Sequence, residues 1–519
     1  MKIPTALLRI AALSSLAALA YAPRLPGQGT GEPEGITLQE ALDAVLEHGT
    51  QLQLGEQQVR AGEGALLAAR APFDARLTAS LATERSNGAS PSASGVPTST
   101  LSRTVASSIA LPKRFHSGVV ITPRLELART DISNVPDALT SRASVNLGVL
   151  VPLLRDRGGG TTAAAERAAR HALDASELDA RHSAAASVLA VAVAYWNDLA
   201  AEERLEVYRS SELRASRLVD DTRRLVEADE RPAADLKQLL ANLALKRAAR
   251  LMAEQASVEA REQLALAIGS GGDGSPFPPA AITGFPDAHG ESAPGSVSTG
   301  ADTDTVRQTE AFRRRADLAA LRARRIAAEV QLEAAQNGLR QRLDLSVGLG
   351  YQGVASDRGF SGALSSFYRN VAGLDASVQL SYELPLASLA ARGEALRSSA
   401  AYDQARIREA ELARQISSGV RMAHQALRHG RDALLASREA VSLSREAVEN
   451  EKRKFRLGMS TLFDVILAED ALTNAKLGEI AGEQAYAVAI ARLRYETGTI
   501  LDASGQKVRV NAGSLEREP

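Results

Sequence analysis

The chain has no cysteine in its 519 residues. That absence excludes disulfides, thiolate metal sites and a lipid-modified N-terminal cysteine. Aromatic residues supply only 4% of the sequence, with a single tryptophan. Net charge is almost absent: 61 Lys and Arg stand against 62 Asp and Glu, giving -1. No bulk attraction to nucleic acid or anionic lipid follows from such a balance. Beyond the N-terminal region there is no uninterrupted apolar run of about 18 residues, so a helical membrane span is not expected. Any crossing would have to use short alternating strands.

What is present is small and apolar. Hydrophobic residues make up 45%, much of it alanine, which suits long helices packed closely side by side. Acidic and basic residues interleave along these stretches and read as solvated faces. The N-terminus combines Lys2 and Arg9 with an Ala/Leu-rich run from Ala6 to Ala20, then Ala20-Tyr21-Ala22 and Pro23. This is the pattern of a secretory signal peptide over residues 1–22, cleaved after Ala20 or Ala22. A buried N-terminal helix is the alternative.

A flexible, Pro/Gly-rich lead-in over 23–35 precedes Thr37, which opens a helix with Glu40 three residues on, a capping-box spacing. That helix is expected to reach Ala71, where Pro72 stops it. Alternating segments follow at 75–85 and 143–151. Two more lie near 104–111 and 118–128, joined by a turn at His116-Ser117-Gly118. From about Thr162 to Glu227 the pattern is helical for roughly 95–100 Å. Pro232 marks a turn, and a second helix returns to Ile268.

A Gly/Pro-rich linker at 269–308 then separates two repeats, 36–268 and 309–500, with a tail at 501–519. The second repeat again offers a helix (309–341), strands (343–351 and 374–384), a long helix to Arg456, a turn at Gly458 and a returning helix. Arg224–Asp235 aligns with Arg453–Asp464, an internal period of about 230 residues. Val420, Leu427, Leu434, Val441, Val448 and Phe455 recur every seven residues, with Ala423, Gly430, Ser437 and Ser444 as small companions. Such a seam predicts coiled-coil packing.

Several segments carry a more specific likeness: Ile36-Thr37-Leu38-Gln39-Glu40-Ala41-Leu42, Val151-Pro152-Leu153-Leu154-Arg155, Ala194-Tyr195-Trp196-Asn197-Asp198-Leu199 with Glu203-Arg204-Leu205, and Phe455 to Val465. In order and duplication they resemble the TolC family of outer-membrane factors over about Ile36 to Ile500. The resemblance implies a mainly α fold with a membrane β-barrel. Three copies, a homotrimer, would each give four strands to a shared 12-stranded barrel seated on a tube of antiparallel helices. It implies a passive channel in the outer membrane of a Gram-negative bacterium, within a tripartite efflux or type I secretion system. Its partners would be a periplasmic adaptor (membrane fusion) protein, an inner-membrane pump or ABC transporter, and outer-membrane lipid, with no nucleic acid, cofactor or enzymatic activity. On this plan 75–85 and 143–151 enter the barrel, and 104–128 is expected to form an extra hairpin outside the membrane.

The resemblance also implies that Asp464 constricts the periplasmic entrance, a threefold ring of carboxylates that favours cations. The spacing of Thr461 and Asp464 supports a helix cap equally well. Two neighbours depart from the family pattern: Ser460 stands where an arginine is usual, and Leu467 where a second aspartate is. The turns holding Asp235 and Gly458, Ser460, Thr461 and Leu462 are the expected adaptor-docking tips; Gly458 could equally serve as a simple helix terminator.

Other motifs count for less. Gly158-Gly159-Gly160-Thr161 lacks the Gly-Lys-Ser/Thr of a phosphate loop and reads as a strand-to-helix hinge. His424 and His429 are five apart, on different helix faces, and Trp196 reads as packing. A periplasmic coiled-coil adaptor or structural envelope protein would explain the heptads but not the amphipathic strands. A secreted enzyme lacks the necessary site chemistry.

Overall fold

A computed structural model of the chain describes residues 35–91, 97–133, 140–229, 232–270, 277–281, 284–288, 300–355, 365, 373–502 and 509–518. The residues read as a signal peptide, almost all of the expected lead-in and just under half of the expected linker at 269–308 lie outside the described residues.

The Thr37–Glu40 capping box forms as expected, with Thr37 Oγ1 accepting from the Glu40 amide and the Glu40 carboxylate accepting from the Thr37 amide. The helix it opens is not continuous to Ala71. It breaks at Gly49 into α1 (Leu38–His48) and α2 (Thr50–Arg70), because Gly49 leaves the helical region. The expected second repeat is divided in the same way at Arg315, into α6 (Gly300–Arg314), which begins within the stretch expected to be linker, and α7 (Ala316–Asn337). Here an ion-pair cluster explains the break: Arg315 bonds Asp317 at 2.7 Å and Glu496 at 2.6 Å, and its guanidinium lies over the Tyr495 ring. Neither break contains a proline; Gly49 carries the weaker stop signal of a glycine, and Arg315 carries none.

Two very long helices dominate. α4 (Ala164–Glu227) returns as α5 (Ala233–Ile268), and α8 (Leu389–Arg456) returns as α9 (Leu462–Glu496). At 1.5 Å per residue α4 and α8 reach about 95–100 Å. The heptad seam of α8 is buried at Val420, Leu427, Leu434, Val441 and Val448, with Phe455 half-buried at its end. Its small companions allow close approach to α9: a Cβ on Gly430 would stand 3.6 Å from the Tyr486 backbone. A window of α4 is long and apolar enough to cross a membrane, but most of it is buried among its neighbours.

The largest core sits midway along the helices. Leu38, Leu42 and Val45 of α1 pack there with Val188, Trp196 and Leu199 of α4 and Ala487 and Ala491 of α9. The Tyr195–Trp196 pair is fully buried, which bears out a packing role for Trp196. Tyr195 donates to the Ala281 carbonyl at 3.1 Å, and Asp198 accepts from the Ala280 amide at 2.8 Å. Ile36 bridges this same segment. The motif Ala194–Leu199 therefore holds the segment at 280–281, with Ile36 paired to it, against the middle of the helical body.

The strands form one antiparallel sheet of six long members: β1 (Thr78–Pro91), β2 (Pro97–Ala110), β4 (Val120–Ile132), β5 (Thr140–Pro152), β6 (Arg342–Ala355) and β7 (Leu374–Glu383). Their order is β1-β2-β4-β5-β6-β7, with the short β3 (Lys113–Arg114) on β4. This corrects the expected plan. The segment 104–128 is not a separate hairpin; β2 and β4 lie between the two strands expected to be the first half's whole contribution. Among the described residues six long strands stand in the sheet where four were expected, so the count of 12 for a shared barrel does not follow. Among the described residues the sheet is open at β1 and β7.

Candidate functional site

Two features are candidates for function: the two-faced sheet at one end of the long helices and the paired turns at the other. Cross-strand register aligns Ala79, Ile109, Leu125, Val145, Tyr351 and Leu374 across all six strands on one face. The adjoining row on the opposite face runs through Ser80, Ser108, Glu126, Ser144 and Gln352. Side chains alternate with a period of two along a strand, so a sheet of this kind is apolar on one side and polar on the other. Leu81, Val145, Leu349, Val378 and Leu380 stand exposed on the apolar side.

The strands are fixed to the helices at a tight junction. Gly118 adopts φ +90 in the turn between β2 and β4, where a Cβ would fall 2.6 Å from the Asp156 carbonyl. His116 of that turn stacks on Phe73, ring centroids 4.2 Å apart, and lies 2.9 Å from the Glu166 carboxylate. Glu166 also pairs with Arg70 at 3.0 Å. The His116 hydrogen bond, with Arg70 adding, holds the Glu166 carboxyl below the usual carboxylate range. Gly158, φ +89, precedes the short helix α3 (Gly159–Thr162) that leads into α4, consistent with a hinge.

At the far end, α8 finishes in a Schellman turn. The Met459 amide donates to the Lys454 carbonyl at 2.9 Å and the Gly458 amide to Phe455 at 3.1 Å, with Gly458 at φ +73. Its counterpart in the first repeat, by the alignment of Arg224–Asp235 with Arg453–Asp464, is Asp229, which adopts φ +61. The two hairpins thus turn through the same left-handed position, one with glycine and one with aspartate. Residue type marks only the glycine as a turn former; the internal alignment carries the signal for Asp229.

Asp464 is the third residue of α9 and completes a reciprocal cap. Its Oδ2 accepts from the Thr461 amide at 2.9 Å, from Thr461 Oγ1 at 2.6 Å and from Ser460 Oγ at 3.3 Å. Thr461 hydroxyl and amide bonding, with Ser460 and Lys454 adding, holds its carboxyl below the ordinary aspartate value. Ser460 also donates to Glu451, tying the turn back to α8. Asp235 occupies the equivalent third position of α5, behind Pro232 rather than a hydroxyl cap.

Leu462 is buried, 7% exposed, against Val219 and Leu239. It joins the two turns to each other and offers no side chain to an outside partner. The exposed apolar groups of the tip are instead Leu457 (71%), Met459 (69%), Phe463 and Leu467. The sequence pattern does not single these out for docking, since one helical period cannot say which side a neighbouring hairpin covers. Between the hairpins lies a cleft of about 530 Å³ lined by Arg214, Lys246, Lys452, Glu469, Phe455 and Ile466. Arg214 and Lys452 each pair with Glu469 at 2.7 Å, binding α4 and α8 to α9.

No protein-family model matches the chain, and no curated protein matches it by sequence. Its fold is nevertheless that of outer-membrane channels. The outer membrane protein VceC of Vibrio cholerae superimposes with a TM-score of 0.64 at 17% identity, over 89% of this chain and 96% of that one. The outer membrane channel CmeC of Campylobacter jejuni gives 0.64 at 13% identity, over 89% and 85%. The Neisseria gonorrhoeae MtrE outer membrane channel in its open state gives 0.61 at 17%, over 89% and 88%. Of the fold expected from the TolC resemblance, mainly α with a membrane β-barrel, the helical body and an antiparallel sheet are observed, and among the described residues the sheet is not closed.

Proposed function

We propose that the chain is the outer-membrane channel of an export system, a passive duct through which an inner-membrane pump or ABC transporter discharges. One observation carries this reading: a single sheet, apolar on one face and polar on the other, standing on helices about 100 Å long. The sheet suits an outer-membrane barrel, and the helices are far too long to lie within a bilayer and must project from it. Open edges are not tolerated in lipid, so several copies, three by the family plan, complete the wall. A coiled-coil adaptor has no use for such a sheet.

The two turns serve as docking points for a periplasmic adaptor. The exposed cluster of Leu457, Met459 and Phe463 supports this, because a helical hairpin partner would cover it. Asp464 lies in the same turn, so copies around an axis would bring their carboxylates together at the entrance. Its hydrogen bonds give it a capping role in the single chain, and both roles can be carried by one carboxylate.

The test is biochemical. The protein is expected to require detergent for release from outer membranes, to run as a heat-modifiable oligomer and to conduct ions in planar bilayers. A soluble monomer without conductance would overturn the reading.

A further inference from the structure

We infer that the β1–β2 hairpin is part of the conduit wall, and that β1 of one copy pairs with β7 of the next. Each copy would then give six long strands, and a trimer would have 18. This rests on reading the chain as a shared membrane barrel, but the strand number and the pairing edge are separate claims.

Four observations support it. First, among the described residues β1 and β7 are each hydrogen-bonded on one side only, and six strands are fewer than the roughly eight of the smallest membrane barrels. A second copy supplies the missing pairing. Second, the direction is right: successive neighbours are antiparallel, so β1 leaves the helical end while β7 returns to it. An even number of strands lets head-to-tail copies close with antiparallel pairing throughout.

Third, both faces of the sheet continue onto the hairpin. Ile109 and Ala79 prolong the apolar row beyond Leu125, Leu81 stands on the same face opposite Ser107, and Ser108 and Ser80 prolong the polar row beyond Glu126. Leu81 at one edge and Val378 at the other are both 75% exposed, as lipid-facing residues would be. A hairpin standing in water has no reason to keep this alternation in register with its neighbours. Fourth, the turn joining β2 to β4 is held at the strand–helix junction by Phe73 and Glu166. The strands on either side of it therefore span the same height as β5.

The consequence is a wider pore. With strands about 4.8 Å apart and tilted about 40°, 12 strands enclose a backbone diameter of about 24 Å and 18 enclose about 36 Å.

Since the native chain has no cysteine, introduced pairs report without background. Val378→Cys is combined in turn with Ala79→Cys, Leu81→Cys and Thr83→Cys on β1, and with Leu125→Cys and Leu127→Cys on β4. The proteins are oxidised in outer-membrane vesicles. Within one chain these partners are separated by at least two intervening strands, so cross-links can form only between copies. A β1 partner is expected to give a reducible ladder ending at the closed oligomer, while the β4 partners stay monomeric. A β4–β7 ladder would overturn the inference, since the hairpin would then lie outside the wall, yet would leave the shared barrel intact. No ladder from either set would overturn both.

A second measurement does not depend on disulfide geometry. Leu81→Cys is expected to react with a water-soluble maleimide about tenfold more slowly than Ser80→Cys, because a thiol facing lipid is not readily ionised. Equal rates would place the hairpin in water and sink the proposal.

Discussion

At the tip of the second hairpin, Gly458 adopts φ +73 with open space around the position of its missing Cβ. A side chain there meets no neighbour, so the cost of substitution is that of the left-handed backbone alone. Gly458→Ala is expected to destabilise the helical body by about 1 kcal/mol, and Gly458→Asn by less, in thermal melts followed by helicity. The aspartate at φ +61 in the first tip shows which residue types tolerate this position. A larger loss from Asn than from Ala would contradict the explanation.

A second residue-scale prediction concerns Glu203 on α4. Burial against α9, with Glu483 and Glu479 nearby, pushes its carboxyl up to about 7 from an ordinary 4.5. Arg438 approaches both of those glutamates, at 2.9 and 3.8 Å, and lowers the local field only in part. Between those two values the folded chain holds a proton that the unfolded chain has lost. Stability attributable to this group therefore falls as pH rises from 4.5 to about 7, and the penalty persists above. Glu203→Gln is expected to raise stability at pH 8 by about 1 kcal/mol after solvent screening, and to change it little at pH 5. An equal gain at both pH values would count against the assignment.

At the scale of the elements, the α8–α9 hairpin tests the coiled-coil seam. Leu434 is fully buried beside Gly482, where an added Cβ would approach the Leu434 Cα to 3.4 Å. Leu434→Ala should cost about 2–5 kcal/mol, read as a lowered denaturation midpoint. The same change at Leu435, which is 39% exposed, should cost much less. The turn that closes this hairpin is predicted to be a contact surface. Replacing Leu457 and Met459 together by serine is expected to weaken capture of the cognate adaptor at least about tenfold with conductance unchanged, since both side chains point to solvent. Unaltered capture would remove the turn from the interface.

At the scale of the whole molecule, the body is organised around junctions. The Arg315–Asp317–Glu496 cluster pins the break between α6 and α7 to the end of α9. Tyr195 and Asp198 hold the segment at 280–281 against the middle of α4. Arg315→Met is expected to free the break between α6 and α7 from the end of α9, appearing as faster amide exchange around 312–318 while the tips stay protected. It removes a buried cation from Glu496 and from Asp317, which keeps only the more distant His182. Uniform protection across the variant would argue that the break is held by packing alone.

What the amino-acid order determines by itself is whatever repeats at short range. The heptad of α8, the alternation of the strands, the capping boxes at Thr37 and Thr461 and the turn at Gly458 all follow from neighbours a few residues apart, which is why residue spacing alone makes them legible. The repeat alignment even pairs Asp229 with Gly458, though only the backbone reveals their common left-handed geometry. Tertiary structure decides three things: the breaks at Gly49 and Arg315, the burial of Leu462, and the place of β2 and β4 in the sheet. Strand order and the choice of edge depend on hydrogen bonds between segments far apart in the chain. Alternation says that a segment has two faces; it does not say which strand lies beside it.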